Sequence, residues 1–181
     1  MQFKLDIYLT EDDYLEYNLF HAMQSNTGKK QIRKSRIFLA VVTVILIAIV
    51  FLILGCTFFS ITYAILLGLF MGLYILFLVN VVKRNIKSQI KKLKKTGKLP
   101  FDAVSRLEFH EDKIIEITDS KRIEQGYEVL ERICIVGDRF VYLYYSSIGA
   151  FILPVPQIKN QIDQDDFLNF LFQKCNIVEY Y

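Results

Sequence analysis

The chain has 181 residues, 53% of them hydrophobic, and its 22 basic and 19 acidic side chains give a formal net charge of +3. The charge is unevenly distributed, because residues 102–181 hold 14 acidic and 8 basic side chains, a net of −6. Nucleic-acid binding depends on contacts of Lys and Arg with phosphates, so an acidic region of this size argues against a nucleic-acid-binding protein.

The first 28 residues predict one strand and one helix. Apolar side chains alternate with more polar ones from Phe3 to Leu9, a period of two that is typical of a half-buried strand. Thr10 is a suitable N-cap for a following helix, and the segment from Ser25 to Gly28 is expected to end that helix. One strand and one helix cannot bury a core alone. We therefore expect residues 1–28 to pack on the C-terminal region.

Residues 37–82 are the most distinctive segment, a run of 46 residues without Asp, Glu, Lys, Arg or His. About 20 helical residues cross the roughly 30 Å hydrocarbon core of a bilayer, and a single helix of 46 residues would reach about 69 Å. The run therefore predicts two transmembrane helices, residues 37–58 and 61–82, folded back on each other around a turn between Gly55 and Thr62. It begins too far into the chain for a cleavable signal, so we expect it to be retained.

Lys and Arg are concentrated on both sides of this hairpin, and no acidic residue occurs between Tyr17 and Phe101. Short basic flanks stay on the cytoplasmic side, which predicts a multi-pass protein of the plasma membrane with both termini in the cytoplasm. A compatible further interpretation is that these residues contact anionic lipid headgroups, each contributing about 1 kcal/mol. We name them the basic collar: Lys29, Lys30, Arg33, Lys34, Arg36, Lys83, Arg84, Lys87, Lys91, Lys94 and Lys95.

The second span is expected to continue beyond the membrane as a basic amphipathic helix over residues 83–98. Ile86, Ile90 and Leu93 recur on one face, and lysines line another. Gly97 followed by Pro100 is a typical helix stop. The pattern fits a helix lying along the headgroups as well as one that rises as a stalk.

Small residues recur every four positions in the second span, at Ala64, Gly68 and Gly72. This spacing lets two helices approach closely. The residues either seat the first span of the same hairpin or form the seam of a homodimer. Neither span holds an ionisable group, which argues against ion or proton transport by this chain alone.

From residue 101 onward the sequence predicts short strands, at residues 104–109, 114–118, 127–136, 139–145 and 150–153. Gly137 and Asp138 form a hairpin turn, and Asp163 can cap a C-terminal helix whose apolar face includes Phe167 and Leu171. Residues 101–181 are therefore expected to form an α+β domain, a small antiparallel β-barrel or strongly bent sheet with a C-terminal helix.

Five aromatic side chains are concentrated in the last of these strands: Phe140, Tyr142, Tyr144, Tyr145 and Phe151. Alternating aromatics suit cross-strand packing in a core. A groove that accepts a peptide or a lipid is the other interpretation.

No residue pattern indicates catalysis or a metal. His21 and His110 have no Cys or His at metal-ligand spacing, and Cys56, Cys134 and Cys175 lie far apart, which favours buried, reduced thiols. The sequence holds no nucleophile motif, glycine-rich phosphate loop or HExxH. We therefore expect no cofactor and no enzymatic activity.

Three short segments and the hairpin between them follow one another along nearly the whole chain. The segments are Leu9-Thr10-Glu11-Asp12-Asp13-Tyr14, Gly137-Asp138-Arg139-Phe140-Val141-Tyr142-Leu143-Tyr144 and Ala150-Phe151-Ile152-Leu153-Pro154. Together they resemble the YcxB-like family of bacterial membrane proteins, whose C-terminal domain is similar to bacterial pleckstrin-homology-like domains. The resemblance implies a pleckstrin-homology-like fold and brings no catalytic residues. The family often has Lys after the last Pro, whereas this chain has Val155.

These patterns predict a non-catalytic binding or regulatory protein at the inner leaflet. Pleckstrin-like domains bind anionic headgroups through basic loops, and the loops here carry Lys121, Arg122 and little else, so a protein partner is preferred. The alternative is a small accessory subunit or immunity-type protein whose spans engage another membrane complex. A homodimer is compatible with both interpretations.

Overall fold

The computed structural model describes residues 1–95 and 101–181 and divides into two units. The strand-rich unit comprises residues 1–17 and 93–181, and the helical unit comprises residues 18–92. The first strand, β1 (Phe3–Tyr8), pairs antiparallel with β2 (Val104–Phe109). The N-terminal segment is therefore part of the same sheet as the C-terminal region, with the helical unit inserted between them.

Helix α1 (Glu11–Met23) ends two residues before the predicted stop at Ser25–Gly28, and α2 (Asn26–Leu54) already begins within that segment. Ser25 caps α2, because its hydroxyl accepts a hydrogen bond from Gly28 N at 3.0 Å. A Cβ at Gly28 would lie 2.3 Å from the carbonyl oxygen of His21. The glycine thus permits close approach of two backbones instead of ending a helix.

Helix α3 (Phe58–Lys95) follows α2 after a break at residues 55–57, where Gly55 has a φ of +63°. The predicted turn begins at the expected residue, although α3 starts three residues before the predicted second span. The helix continues through residues 83–95 as predicted, and the predicted stop at Gly97 and Pro100 lies outside the described residues. At 1.5 Å per residue, α2 and α3 are about 43 Å and 57 Å long.

Both long helices leave most of their apolar surface exposed. Leu52 is 84% exposed, Phe58 79% and Leu76 72%. The most apolar 18-residue window of each helix is only 6% buried, and each helix is long and apolar enough to cross a membrane. Within the described residues, neither helix is therefore buried in a protein core.

The strand-rich unit contains two four-stranded sheets. The first has the order β1-β2-β3-β4 and is antiparallel throughout, with β3 at Lys113–Ile117 and β4 at Arg122–Gly126. The second has the order β7-β6-β5-β8 and consists of β5 (Arg132–Val136), β6 (Phe140–Tyr144), β7 (Ala150–Pro154) and β8 (Val178–Tyr180). Strand β8 runs parallel to β5, and the other pairs in this sheet are antiparallel.

Of the two predicted alternatives, a small barrel or a strongly bent sheet, the barrel is wrong, since the described strands form two open sheets. The outer edge of β1 is instead covered by the short helix α4 (Val155–Lys159) and the residues that follow it. Gln157 accepts a hydrogen bond from Tyr8 N at 2.9 Å and donates one to Tyr8 O at 2.7 Å. Gln161 makes the same pair of contacts with Asp6, both at 2.8 Å. Two glutamine amides thus take the place of a neighbouring strand.

The core lies between the two sheets and under the C-terminal helix α5 (Gln164–Lys174), as the alternation of apolar residues predicts. Asp163 caps α5, accepting hydrogen bonds from Asp165 N at 3.0 Å and Asp166 N at 2.9 Å. Phe167 and Leu171 are fully buried. The predicted strand over residues 127–136 is wrong in its first half, because Tyr127–Val129 form a 3₁₀ turn before β5.

Candidate functional site

A cavity of about 170 Å³ lies in the strand-rich unit. Its walls come from the start of α1, from β2 and β3, and from the segment around residues 145–152, which includes most of β7. These parts are distant along the chain, and the pairing of β1 with β2 brings the first two together. We name this feature the sheet-end cavity.

Two pairs of aromatic rings line the sheet-end cavity. Tyr14 stacks on Phe101 with ring centroids 4.8 Å apart and an interplanar angle of 24°. Tyr145 and Phe151 form a second pair at 5.1 Å. Of the five aromatic residues singled out in the sequence, these last two line the cavity.

The other three residues of that set, Phe140, Tyr142 and Tyr144, are buried on one face of β6. Tyr17 of α1 covers this face, with its ring 5.2 Å from that of Tyr142. Burial raises the pKa of all three tyrosines, Tyr17, Tyr142 and Tyr144. The hydroxyl of Tyr17 donates a 2.6 Å hydrogen bond to the carbonyl oxygen of Ile148, which ties the cavity rim to α1.

Three charged side chains, those of Asp102, Glu116 and Lys121, also line the sheet-end cavity. The ammonium group of Lys121 lies 3.3 Å from a carboxylate oxygen of Asp102 and 3.9 Å from one of Glu116. The Glu116 side chain is 19% exposed. Burial holds the pKa of Glu116 above its usual range, Lys121 opposes this rise and Asp102 adds to it. The cavity therefore holds two carboxylates and one ammonium group.

Ser105 supplies a buried hydroxyl to the same cavity. The residue is 6% exposed and lies on β2, on the same inward-facing side as Leu107 and Phe109. Its side chain lines the cavity, and a hydroxyl group can both donate and accept a hydrogen bond there.

The basic collar lies on the two long helices, with residues 29–36 near the start of α2 and residues 83–95 at the end of α3. Lys94 pairs with Glu11 at 2.9 Å. Lys34 borders a shallow depression with Phe38 and Tyr74. Contact between the collar and anionic headgroups stays a prediction.

The small residues of the second span lie on α3. A Cβ at Gly68 or Gly72 would meet no described atom within 4 Å. These two glycines therefore do not lie in close contact with α2. A packing role for Ala64, Gly68 and Gly72 against a second copy or another protein stays a prediction.

The histidines and cysteines do not come together. Across the described residues, no group of three or more His, Cys, Asp or Glu side chains is placed to hold a metal ion. Cys134 and Cys175 are buried as predicted, and Cys56, in the turn between α2 and α3, is exposed. Burial raises the pKa of the Cys134 thiol to about 12, with Glu179 adding to the rise.

Sequence patterns missed most of the sheet-end cavity. Tyr145 and Phe151 were indicated by their aromatic clustering, whereas Ser105 and Glu116 sit on ordinary alternating strands and gave no signal of their own. Only the long-range pairing of β1 with β2 and the fold of the rim place them together. Compared with family models, curated proteins and solved structures, the chain matches none.

Proposed function

We propose that this chain is a bacterial plasma-membrane protein of the YcxB-like family, anchored by α2 and α3. We further propose that its strand-rich unit is a non-catalytic binding domain at the inner leaflet. The observation that carries the proposal is the exposed apolar surface of both long helices, with basic residues at the flanks.

The energetics of the first span support insertion. Of the 18 residues from 37 to 54, 15 are Leu, Ile, Phe or Val. At about −0.3 to −0.6 kcal/mol per such residue near the bilayer centre, their transfer contributes about −5 to −9 kcal/mol. No charged residue in the span opposes this transfer, and each would add about 2.5 to 3.5 kcal/mol at the centre.

The basic collar supports the orientation. All of its residues lie on the outer sides of the two spans, and the turn between the spans carries no charge. Such flanks are typically retained in the cytoplasm, which supports a cytoplasmic location for the strand-rich unit.

A pleckstrin-homology-like fold is our proposal for the strand-rich unit. It is supported by the two four-stranded sheets, by the C-terminal helix α5 that packs over their core, and by the resemblance of the sequence to the YcxB-like family. The net charge of −6 over residues 102–181 disfavours recognition of anionic headgroups. A protein partner therefore fits this domain better than a phosphoinositide-type lipid.

Alkaline carbonate extraction tests the anchor. The wild-type chain is expected to stay with the membrane pellet. A variant with Ile45→Lys and Leu46→Lys places two charges near the middle of α2 and is expected to lose stable insertion. Leu93→Lys, beyond the predicted spans, is the matched control and should remain in the pellet. Release of the wild-type chain into the supernatant would contradict the anchor.

A second candidate function follows from the open glycine face of α3, where Gly68 and Gly72 have free space above them. In this alternative the chain is an accessory subunit or immunity-type protein that binds another membrane complex through its spans. Gly68→Leu and Gly72→Leu would then abolish partner capture in mild detergent while insertion persists. Unchanged capture by both variants, together with its loss on removal of residues 101–181, would favour the binding-domain proposal.

A further inference from the structure

We propose that the sheet-end cavity is a binding site for an alkylammonium group, such as the end of a lysine side chain or a free primary amine. This inference rests on the proposed binding function of the strand-rich unit and gives that function a ligand class. The charge of the cavity, its aromatic lining, a serine hydroxyl and the cavity volume each support it.

The charge of the cavity favours a cation. The carboxylates of Glu116 and Asp102 line the cavity together with the ammonium group of Lys121. This ammonium group lies 3.9 Å from a carboxylate oxygen of Glu116 and 3.3 Å from one of Asp102. With both carboxylates ionised, the formal charge of these three groups is −1. The Lys121 side chain is 45% exposed and sits on a flexible four-carbon stem, so it can move aside. Its position shows that an ammonium group fits between the two carboxylates.

The aromatic walls favour the same kind of ligand. Tyr14 stacked on Phe101, and Tyr145 beside Phe151, all line the cavity. A cation within about 6 Å of a ring centroid is attracted by the ring quadrupole, and this attraction strengthens when the cation is desolvated. The rings also provide apolar surface for the methylene groups of an alkyl stem.

Ser105 provides a hydrogen-bond acceptor in the interior of the cavity. The residue is 6% exposed and its side chain lines the cavity. A hydroxyl oxygen can accept a hydrogen bond from an ammonium N–H. Ammonium has three donors, enough for Ser105, Glu116 and Asp102 together.

The size of the cavity limits the ligand. A cavity of about 170 Å³ has room for an ammonium group on a short alkyl stem. Ile148 at the rim is 72% exposed, so it offers apolar contact to the part of the ligand that extends outward.

The test uses the full chain in phosphatidylcholine nanodiscs, because this lipid carries no primary amine. Isoleucine methyl NMR spectra report on Ile148 and Ile152 at the cavity and on Ile133 in the core. n-Butylammonium chloride is titrated at constant ionic strength, with butanol and butyrate as the neutral and anionic probes. We expect saturable shifts of the Ile148 and Ile152 methyl groups with butylammonium only.

Two variants separate the contributions of the charges. Glu116→Gln is expected to weaken butylammonium binding at least ten-fold, and Lys121→Met to tighten it at least three-fold because the internal competitor is gone. Lys113→Met and Glu124→Gln alter an exposed pair on neighbouring strands and are the matched controls, expected to leave the affinity unchanged. An unchanged Ile133 methyl signal shows that each variant is folded.

Three results would overturn the proposal. Butanol could cause the same methyl shifts as butylammonium, or Glu116→Gln could bind butylammonium as tightly as the wild type. The third is that neither the wild type nor Lys121→Met shows a saturable shift. A second arm uses Nα-acetyl-lysine N-methylamide to identify the source of the cation. Its binding assigns the site to a lysine side chain, and binding of butylammonium alone assigns it to a free amine. If butylammonium does not bind but the wild-type chain still resists carbonate extraction, only this inference is refuted and the membrane anchor stands.

Discussion

The two glutamines that cover the edge of β1 give the most local prediction. Gln157 and Gln161 each make two hydrogen bonds to one residue of that strand, Tyr8 and Asp6 respectively, at 2.7–2.9 Å. A hydrogen bond contributes about 0.5–1.5 kcal/mol net, so replacing one glutamine with Ala should lower local stability by about 1–3 kcal/mol. Amide exchange at the freed position should then accelerate by about 5- to 150-fold.

The assay is amide hydrogen exchange, measured by NMR on the full chain in nanodiscs. Gln157→Ala is expected to act mainly on the Tyr8 amide and Gln161→Ala mainly on the Asp6 amide. Gln161→Glu keeps the acceptor oxygen and removes the donor, so it should give intermediate protection of Asp6. Gln173→Ala, exposed on α5, is the control. This edge-covering role would be refuted if the Asp6 and Tyr8 amides exchanged without protection in the wild type. It would also be refuted if neither Gln157→Ala nor Gln161→Ala reduced their protection.

Three further predictions concern packing and titration. Gly28→Ala should lower the melting temperature of the full chain in nanodiscs, because its Cβ would clash with the His21 carbonyl, while Gly72→Ala, with open space, should change it little. Because burial raises the pKa of Glu116, its protonated side chain stabilises the fold. This contribution to the free energy of unfolding is lost as the pH rises from about 4.5 through the pKa of Glu116 in the folded state. The stability gain of Glu116→Gln in thermal unfolding should therefore be larger at pH 7 than at pH 4, and equal gains would contradict this. Because burial raises the pKa of Cys134 to about 12, its thiol should resist iodoacetamide at pH 8 in the folded chain, as mass spectrometry can show.

The parts of the fold that are visible in the sequence are those with a local physical signature. The run without ionisable residues predicts α2 and α3, because charge exclusion needs no knowledge of contacts. Period-two alternation predicts β1, β2 and β6, and the acidic cap at Asp163 predicts α5. These signals depend on residues close together in the chain.

The missed elements depend on distant partners. Strand β4 has the sequence Arg122–Gly126 with one apolar residue, and it forms because β3 offers it a complete antiparallel partner. Strand β8 is only three residues long and is held by parallel pairing with β5. Helix α4 was hidden by Pro156, which suits the first turn of a helix as well as the end of a strand.

The candidate site was hard to predict for the same reason. Tyr14 follows the first strand, Ser105 and Glu116 lie beyond the hairpin, and Tyr145 precedes β7. Each residue alone has an ordinary structural explanation. Only the register of Leu5 with Leu107, and of its neighbours, brings these side chains around one cavity.

Cys56 allows the most direct test of the membrane hairpin, because it is exposed in the turn while Cys134 and Cys175 are buried. In intact spheroplasts, a membrane-impermeant maleimide should label the wild-type chain and leave Cys56→Ser unlabelled. A cysteine placed at the exposed Gln173, in the Cys56→Ser background, should react only after permeabilisation. Labelling of Gln173→Cys in intact spheroplasts, or protection of Cys56 until lysis, would contradict two spans with a cytoplasmic strand-rich unit.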